Sequence, residues 1–376
     1  MFIRNNSWVP TSRRAVLTIM LIALVPAFAA TGAFVRTDRR FLNAEAARWR
    51  AQGDRDLASH HADAAVEAYR TALARGGDDA GIRLQLAAAL IEAGRTTEAE
   101  SHLRTLWTEA PGDGTVNLTL ARLALESGRL ADSVRYYHAA IDGAWDRDPA
   151  QARRDARFEL ANVLLQHHDA TGARSELIVL ADVVKDDPDL TLRVARMLVQ
   201  AGDARTALTL ARRVIMARPQ DAGALALAGD LLFRNADYVA ALNLLQRAAR
   251  QGPLSTGAAA ELRDAEDALA LDPLAPRLGS ITRQRRLQSV LMAARARMDA
   301  CVMAAGAQPG PDLLALQDRL ASAEHDARVN RRADPDELDE AMAVVAAIEQ
   351  LPDTTCGPSS PQDRSLRLIV CAHPTT

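Results

Sequence analysis

Aromatic residues are scarce in this chain of 376 residues, where Phe, Trp and Tyr together make up 4% of the sequence. Apolar residues of all kinds account for 48%, which is an ordinary value for a globular protein. Because alanine is abundant, small side chains must do much of the packing. This composition suits closely stacked helices better than sheets, which favour β-branched and aromatic residues.

Cysteine and excess positive charge are also lacking. Three cysteines without a Cys-x-x-Cys pair exclude a disulfide-dense scaffold, and a net charge of −3 provides no field for nucleic acid phosphates. There is no glycine-rich phosphate loop, Gly-x-Ser-x-Gly elbow or His-Glu-x-x-His motif, and the pairs His60-His61 and His167-His168 fall at predicted turns. We therefore expect no enzyme activity, no metal or other cofactor, no nucleic acid partner and no small-molecule substrate.

An uncharged apolar stretch occupies residues 15–35, with arginines on both sides. As a helix these 21 residues extend about 31 Å, which matches the hydrocarbon core of a bilayer. We predict a transmembrane helix at 15–35, a cytoplasmic tail at 1–14, a linker at 36–45 and a periplasmic body held at a bacterial inner membrane. The alternative is a secretory signal that is cleaved near the small-x-small pattern at 27–29, which also exports the chain.

A unit of 34 residues recurs between residues 46 and 253. A small residue repeats at intervals of 34, 34, 40, 34 and 34, at Gly53, Ala87, Ala121, Ala161, Ala195 and Gly229. Another small residue follows each of these twelve positions later, at Ala65, Ala99, Ser133, Ala173, Ala207 and Ala241. A mostly large residue comes four positions further on, at Tyr69, Leu103, Tyr137, Leu177, Ala211 and Leu245. This spacing indicates a repeated pair of helices.

At these positions the chain resembles the tetratricopeptide repeat family, and in particular bacterial membrane-anchored proteins of that family. The resemblance implies an all-α fold in which about six helix-turn-helix repeats at 46–253 stack as an α-solenoid. The small residues would let helices A and B of a repeat approach closely, and the large ones would fill the space between neighbouring repeats. Gly94, Gly128 and Gly202 mark the turn between the two helices, because a left-handed helix end favours glycine.

Two further segments follow the repeats. Residues 254–273 are predicted to form a helix that caps the last repeat, and residues 280–372 a small helical bundle. If the bundle helices alternate in direction, Cys301 and Cys356 lie at the same end and can form a disulfide bond in an oxidising compartment, with Cys371 free or competing. The alternative is that Cys301 is a small core residue and the other cysteines are incidental.

The resemblance also implies a concave face lined by helix A, where family members bind peptides. Its contact positions five, nine and twelve correspond here to an apolar floor that carries polar side chains, namely Leu118, Arg122, Leu125, Phe158, Asn162, Leu192, Arg196, Asp230 and Phe233. We interpret these residues as a groove for an extended or helical peptide with hydrophobic anchors and an acidic group. The alternative is that the Leu and Phe residues pack against the capping helix, the inserted residues or a second copy of the chain.

These observations predict a non-catalytic scaffold or adaptor that is anchored at the bacterial cell envelope and binds a partner peptide or protein. A second hypothesis is a regulatory subunit that faces the cytoplasm and brings a membrane protein to an enzyme or protease.

Overall fold

The computed structural model describes residues 13–76, 78–305, 310–330, 334–358 and 360–373, and for much of 13–38 it describes the backbone alone. The predicted tail at 1–14 therefore lies almost entirely outside the described residues. The regular elements of the described part are helices, as the composition predicts. They are α1 (Arg13–Ala58), α2 (Ala62–Gly76), α3 (Ala80–Glu92), α4 (Thr96–Glu109), α5 (Gly114–Glu126), α6 (Leu130–Asp142), α7 (Pro149–Gln166), α8 (Ala170–Val183), α9 (Pro188–Gln200), α10 (Ala204–Ala217), α11 (Ala222–Arg234), α12 (Tyr238–Gln251), α13 (Thr256–Leu271), α14 (Ser280–Ala305), α15 (Pro311–Val329), α16 (Pro335–Glu349), α17 (Asp353–Cys356) and α18 (Pro361–Ala372).

Helix α1 continues without a break from Arg13 to Ala58, so the segment 36–45, which was predicted as a linker, is helical. The physical reason is that neither glycine nor proline occurs between residues 34 and 52, so nothing there ends the helix. Most side chains of the predicted span at 15–35 lie outside the described residues. In the part of the chain that is described, no helix has both the length and the apolar character required to cross a membrane.

The chain divides into two compact units, and the first extends to Leu160. Within it, α1 packs on α2, α3 on α4 and α5 on α6, which are the pairs expected of three consecutive repeats. Their core includes Tyr69, Leu86, Leu103 and Leu120, all at most 2% exposed. Each pair buries its apolar face against the next pair, since α2 also packs on α3 and α4 on α5.

The second unit begins at Ala161 and contains two further pairs, α9 with α10 and α11 with α12. Helix α13 packs on α11 and α12, as predicted for the capping segment at 254–273, but it also packs on α14 and α18. Ala268 of α13 belongs to the same core as Leu291, Val345 and Leu366 of the C-terminal helices. The cap and the bundle predicted at 280–372 are therefore one packed body, because α13 presents apolar side chains to both neighbours.

The turns between helices A and B all contain a residue in the left-handed conformation. Gly94, Gly128 and Gly202 have φ angles of 74°, 72° and 77°, as their positions in the repeat predict. In the other three repeats the equivalent residues are not glycine but have φ angles near 60°, at His60, His168 and Ala236. One histidine of each pair, His60 and His168, therefore occupies the left-handed position at the end of an A helix, which the backbone requires whatever the side chain.

The small and large repeat positions contact each other within one repeat. A Cβ atom at Gly53 would lie 2.7 Å from the ring of Tyr69, and one at Gly229 would lie 2.7 Å from Cγ of Leu245. The large residues were predicted to fill the space between neighbouring repeats, but at these two positions they fill the space that the missing side chain leaves inside their own repeat.

The 40-residue interval is accommodated between α6 and α7. There the backbone of Ala144 pairs with the loop between α4 and α5. Its N–H donates to Gly112 O, and its carbonyl accepts from Gly114 N, both at 2.8 Å. Trp145 covers Gly114 and donates its indole N–H to Ala140 O at 2.9 Å. The inserted residues are therefore fastened to the first unit.

Candidate partner-binding site

The predicted groove residues all lie on A helices, but they belong to both units. Leu118, Arg122 and Leu125 are on α5, and Phe158 is in the part of α7 that belongs to the first unit. The second unit carries the others, which are Asn162, Leu192, Arg196, Asp230 and Phe233. We describe the two groups separately.

Arg122 is an exposed guanidinium, but it is already paired. Its Nε and Nη2 atoms donate to the two carboxylate oxygens of Glu159 at 2.9 and 2.5 Å. The hydroxyl of Tyr137 donates to the same carboxylate at 3.4 Å. This bond to Glu159 raises the pKa of Arg122, and burial, followed by the charge of Glu159, raises the pKa of Tyr137 to about 12. An acidic group of a partner must therefore compete with Glu159 for Arg122.

Glu159 was not among the residues selected from the sequence. It lies next to Phe158, one position after repeat position five, and only positions five, nine and twelve were considered. The sequence did contain one indication of this pair, because Glu159 carries a charge opposite to that of Arg122 in the preceding repeat.

Position nine of the first repeat is also occupied by an internal hydrogen-bond network. Asp54 on α1 accepts from the hydroxyl of Tyr69 on α2 at 2.8 Å and from Nε2 of Gln85 on α3 at 3.0 Å. Burial, together with the carboxylate of Asp54, raises the pKa of Tyr69. The polar side chains at this position of the first unit thus join neighbouring helices rather than stand free.

The apolar floor is only partly accessible. Leu118 and Leu125 are half-buried and can still contact a ligand. The interpretation of Phe158 and Leu192 as floor residues is wrong, because they are only 2% and 7% exposed. Leu192 packs in a cluster with Val214 and Ala224. Bulky apolar side chains at these positions are buried between helices.

Asn162 and Arg196 are the exposed polar residues of the second unit at position nine. Neither has a hydrogen bond or an ion pair with any described residue. The guanidinium of Arg196 lies beside the first turn of α11, where a Cβ atom at Gly223 would be 2.8 Å from Nη2. The absence of a side chain at Gly223 leaves room for the guanidinium, and because Arg196 is exposed its N–H donors are accessible to an acidic group.

Asp230 and Phe233 follow on α11. Asp230 accepts from Nε of Arg234 at 2.9 Å, and the half-buried ring of Phe233 meets the Tyr238 ring edge to face at 5.1 Å. Burial, and then the adjacent carboxylate of Asp230, raises the pKa of Glu261 on α13 to about 7. Unlike Arg196, Asp230 therefore has a partner of opposite charge.

The C-terminal helices contain a disulfide bond between Cys301 and Cys356, the pair considered from the sequence. Cys371 is free and exposed. One turn before Cys301, the buried Arg297 donates to Asp353 Oδ1 at 2.6 Å and to the carbonyl of Gly357 at 3.1 Å. The disulfide and this arginine together attach the short helix α17 to α14.

Nothing in the described residues assembles a metal site, because no three His, Cys, Asp or Glu side chains come close enough to share an ion. His60 instead pairs with Glu92 through Nδ1 at 2.8 Å.

Comparisons with known proteins match the repeats. One family model described as tetratricopeptide repeat matches residues 56–123 and 90–142, and a second of the same description matches 118–182 and 193–256. The two models cover 191 of the 376 residues. No protein of curated function matches the chain.

Solved structures of repeat proteins are similar at low identity. YrrB, described as a tetratricopeptide repeat protein with an unusual peptide-binding site, is 17% identical, with 53% of this chain and 99% of YrrB covered and a TM-score of 0.41. A tetratricopeptide repeat protein from Parabacteroides merdae ATCC 43184 is 12% identical, with 87% of this chain and 99% of that chain covered and a TM-score of 0.39. The assignment of this chain therefore rests on the two repeat models.

Proposed function

The chain belongs to the tetratricopeptide repeat family, and from that premise we propose that it is a non-catalytic scaffold or adaptor that binds a protein or peptide partner through its A helices. Repeats of this kind present one helix of each pair on a common face, which suits recognition of extended or helical segments. No family of enzymes is among the matching models.

The observation that carries this proposal is that the guanidinium of Arg196 is exposed and unpaired among the described residues. Arg122, in contrast, is engaged by Glu159. An unpaired guanidinium recognises carboxylates through two parallel hydrogen bonds. We therefore expect the partner segment to place an acidic group at Arg196 and apolar side chains on half-buried residues such as Phe233.

The test is the affinity of a peptide selected by display on the immobilised full chain. Arg196→Glu is expected to weaken binding of the labelled peptide at least tenfold in fluorescence anisotropy, because it replaces attraction by repulsion. Arg213→Glu on α10 is the matched control, since Arg213 is exposed and has no partner among the described residues. Equal losses in both variants, or no loss in either, would refute the assignment of Arg196.

We propose further that the stretch at 15–35 holds the chain at the inner membrane, with the repeats in the periplasm. The uncharged sequence and its flanking arginines support this location, as does the Cys301–Cys356 bond, because disulfides persist in oxidising compartments.

Fusions at the C-terminus test this location. Active alkaline phosphatase indicates export, whereas fluorescence of a cytoplasmic reporter indicates a regulatory subunit that faces the cytoplasm. The mass of the exported chain then distinguishes a retained helix from a signal cleaved near residues 27–29.

A further inference from the structure

A cavity of about 370 Å³ lies among α14, α15 and α16 of the second unit, away from the repeats. Its inner wall is apolar and includes the buried residues Leu287, Ala323 and Ala327. The volume is in the range of small-ligand sites. Neither the repeats nor the proposed function accounts for it.

The outer wall of this cavity is acidic. Among the described residues that line it, Asp326, Asp336, Glu337 and Glu340 are acidic and Arg319 is basic, so these five side chains sum to a charge of −3. Glu340 accepts from Arg319 at 3.1 Å, and Glu337 accepts from Asn330 at 2.6 Å. Asp336 has no partner among the described residues. The wall therefore has more negative charge than its own basic residue can neutralise.

A second observation comes from Gln284, which also lines the cavity and is only 8% exposed. Its Nε2 donates to the carbonyl oxygen of Ala327, which also accepts from Nε2 of Gln288 at 2.9 Å. The opposite orientation of the Gln284 amide would place its oxygen against this carbonyl oxygen, and two acceptors repel, so Nε2 faces the carbonyl. Oε1 of Gln284 is left buried without a donor. A buried acceptor without a donor is costly, and a ligand that brings an N–H group can satisfy it.

We propose that this cavity binds the guanidinium group of a ligand. A guanidinium supplies the positive charge that the acidic wall lacks and the N–H donors that Gln284 lacks, whereas a metal ion supplies no donor. It is also planar and more weakly hydrated than an ammonium group, so it tolerates the apolar inner wall. The group can come from an arginine side chain of a peptide or from a free small molecule. This inference does not depend on the proposed function of the repeats.

The first test is calorimetric titration of the full chain with Nα-acetyl-arginine amide, in which the side chain carries the only charge. Nα-acetyl-citrulline amide has nearly the same size without the charge, and we expect it to bind at least tenfold more weakly. Propylguanidine, a free guanidinium compound with the same single charge, distinguishes the two sources. Tighter binding of propylguanidine identifies a small-molecule site, and tighter binding of the arginine amide identifies a site for a peptide side chain. Either result supports the proposal.

Substitutions in the wall provide the second test. Asp326→Asn combined with Asp336→Asn should weaken binding of the arginine amide at least tenfold. The matched control is Asp318→Asn with Asp339→Asn, which removes one exposed carboxylate from each of the same helices outside the cavity and should change affinity less than twofold. Gln284→Leu should also weaken binding, and circular dichroism verifies that each variant is folded.

Three outcomes would overturn the proposal. They are no binding of the arginine amide by the unaltered chain, equal binding of the citrulline analogue, and equal losses in the two double variants. Arg331 and Arg332 lie outside the described residues and are close in sequence to the cavity. If the arginine amide binds only after both are replaced by alanine, the chain fills its own cavity and the external ligand is refuted.

Discussion

Glu261, on the capping helix α13, is a residue at which burial and charge conflict. Its Oε2 atom is buried without a donor, and burial, followed by the carboxylate of Asp230, raises its pKa to about 7. Arg234 acts in the opposite direction, and Asp264 adds a further repulsion. The contact between α11 and α13 is therefore most favourable when Glu261 carries a proton.

The pH dependence follows from this shift in pKa. The folded chain holds the proton of Glu261 up to about pH 7, whereas the unfolded chain releases it near the ordinary glutamate pKa of 4.5, so the contribution to stability falls as pH rises between these values. Glu261→Gln should remove this part of the dependence and raise Tm at pH 8. Because solvent screens a half-exposed group, we expect about 1 kcal/mol or less, which corresponds to a rise in Tm of up to about 2 °C.

Thermal unfolding at pH 5 and pH 8, followed by circular dichroism, measures this difference. Asp267→Asn is the control on the same helix, since Asp267 is exposed and has no partner among the described residues. A Glu261→Gln variant whose Tm has the same pH dependence as the unaltered chain would contradict the expectation.

At the scale of elements, the left-handed turn residues are the feature that all six repeats share. Gly202 has a φ angle of 77°, and a Cβ atom added to it would meet nothing closer than 4.0 Å, so only the backbone conformation opposes a side chain there. Ala236 occupies the equivalent turn with φ near 60°. Alanine is strained in this region, and glycine is not.

Exchange of the two residue types should therefore have opposite effects on the free energy of unfolding. Gly202→Ala is expected to destabilise the chain by about 1 kcal/mol, and Ala236→Gly to stabilise it by up to about the same amount. Gly257→Ala in α13 is the control for replacing glycine by alanine in a helical conformation. It should not destabilise the chain, because a Cβ atom at Gly257 would meet no atom within 4 Å. Urea unfolding measures all three. A loss in Gly257→Ala as large as that in Gly202→Ala would contradict the argument.

The repeat period was enough to predict the helix pairs, because small residues, turns and helix ends recur at fixed spacing. It also contained a signal that was not used, since Asp169, Asp203 and Asp237 recur every 34 residues and each caps a B helix by accepting from a backbone N–H. The Arg122–Glu159 pair and the burial of Phe158 could not be predicted in this way. They depend on how side chains of adjacent helices meet, which a period does not specify.

At the scale of the whole molecule, the division predicted between cap and bundle fails for a physical reason. Arg286 on α14 donates to the carbonyl oxygens of Leu269 and Asp272 at the end of α13, at 2.9 and 3.0 Å. His373, just beyond α18, contacts Asp272 at 3.1 Å. The sequence shows where α13 starts and stops, but these contacts come from residues far away in the chain and have no local pattern.

The disulfide should contribute strongly to the stability of this region. Its cysteines are separated by 55 residues, and closing so long a segment restricts the unfolded chain. We expect Cys301→Ser with Cys356→Ser to lower the free energy of unfolding by about 2–4 kcal/mol. Urea unfolding of the variant and of the unaltered chain under non-reducing conditions measures this loss. Cys371→Ser is the control, because this thiol is free and exposed. Equal stability of the double variant and the unaltered chain would contradict the expectation.

The continuity of α1 has a geometrical consequence for the first repeat. One helix carries both the residues before 36 and the face that packs on α2, with no hinge at 36–45. Each residue inserted into that stretch would advance the repeat by about 1.5 Å and rotate it by about 100°. The number of residues between the upstream segment and the first repeat therefore sets the angle by which that repeat is rotated about the axis of α1.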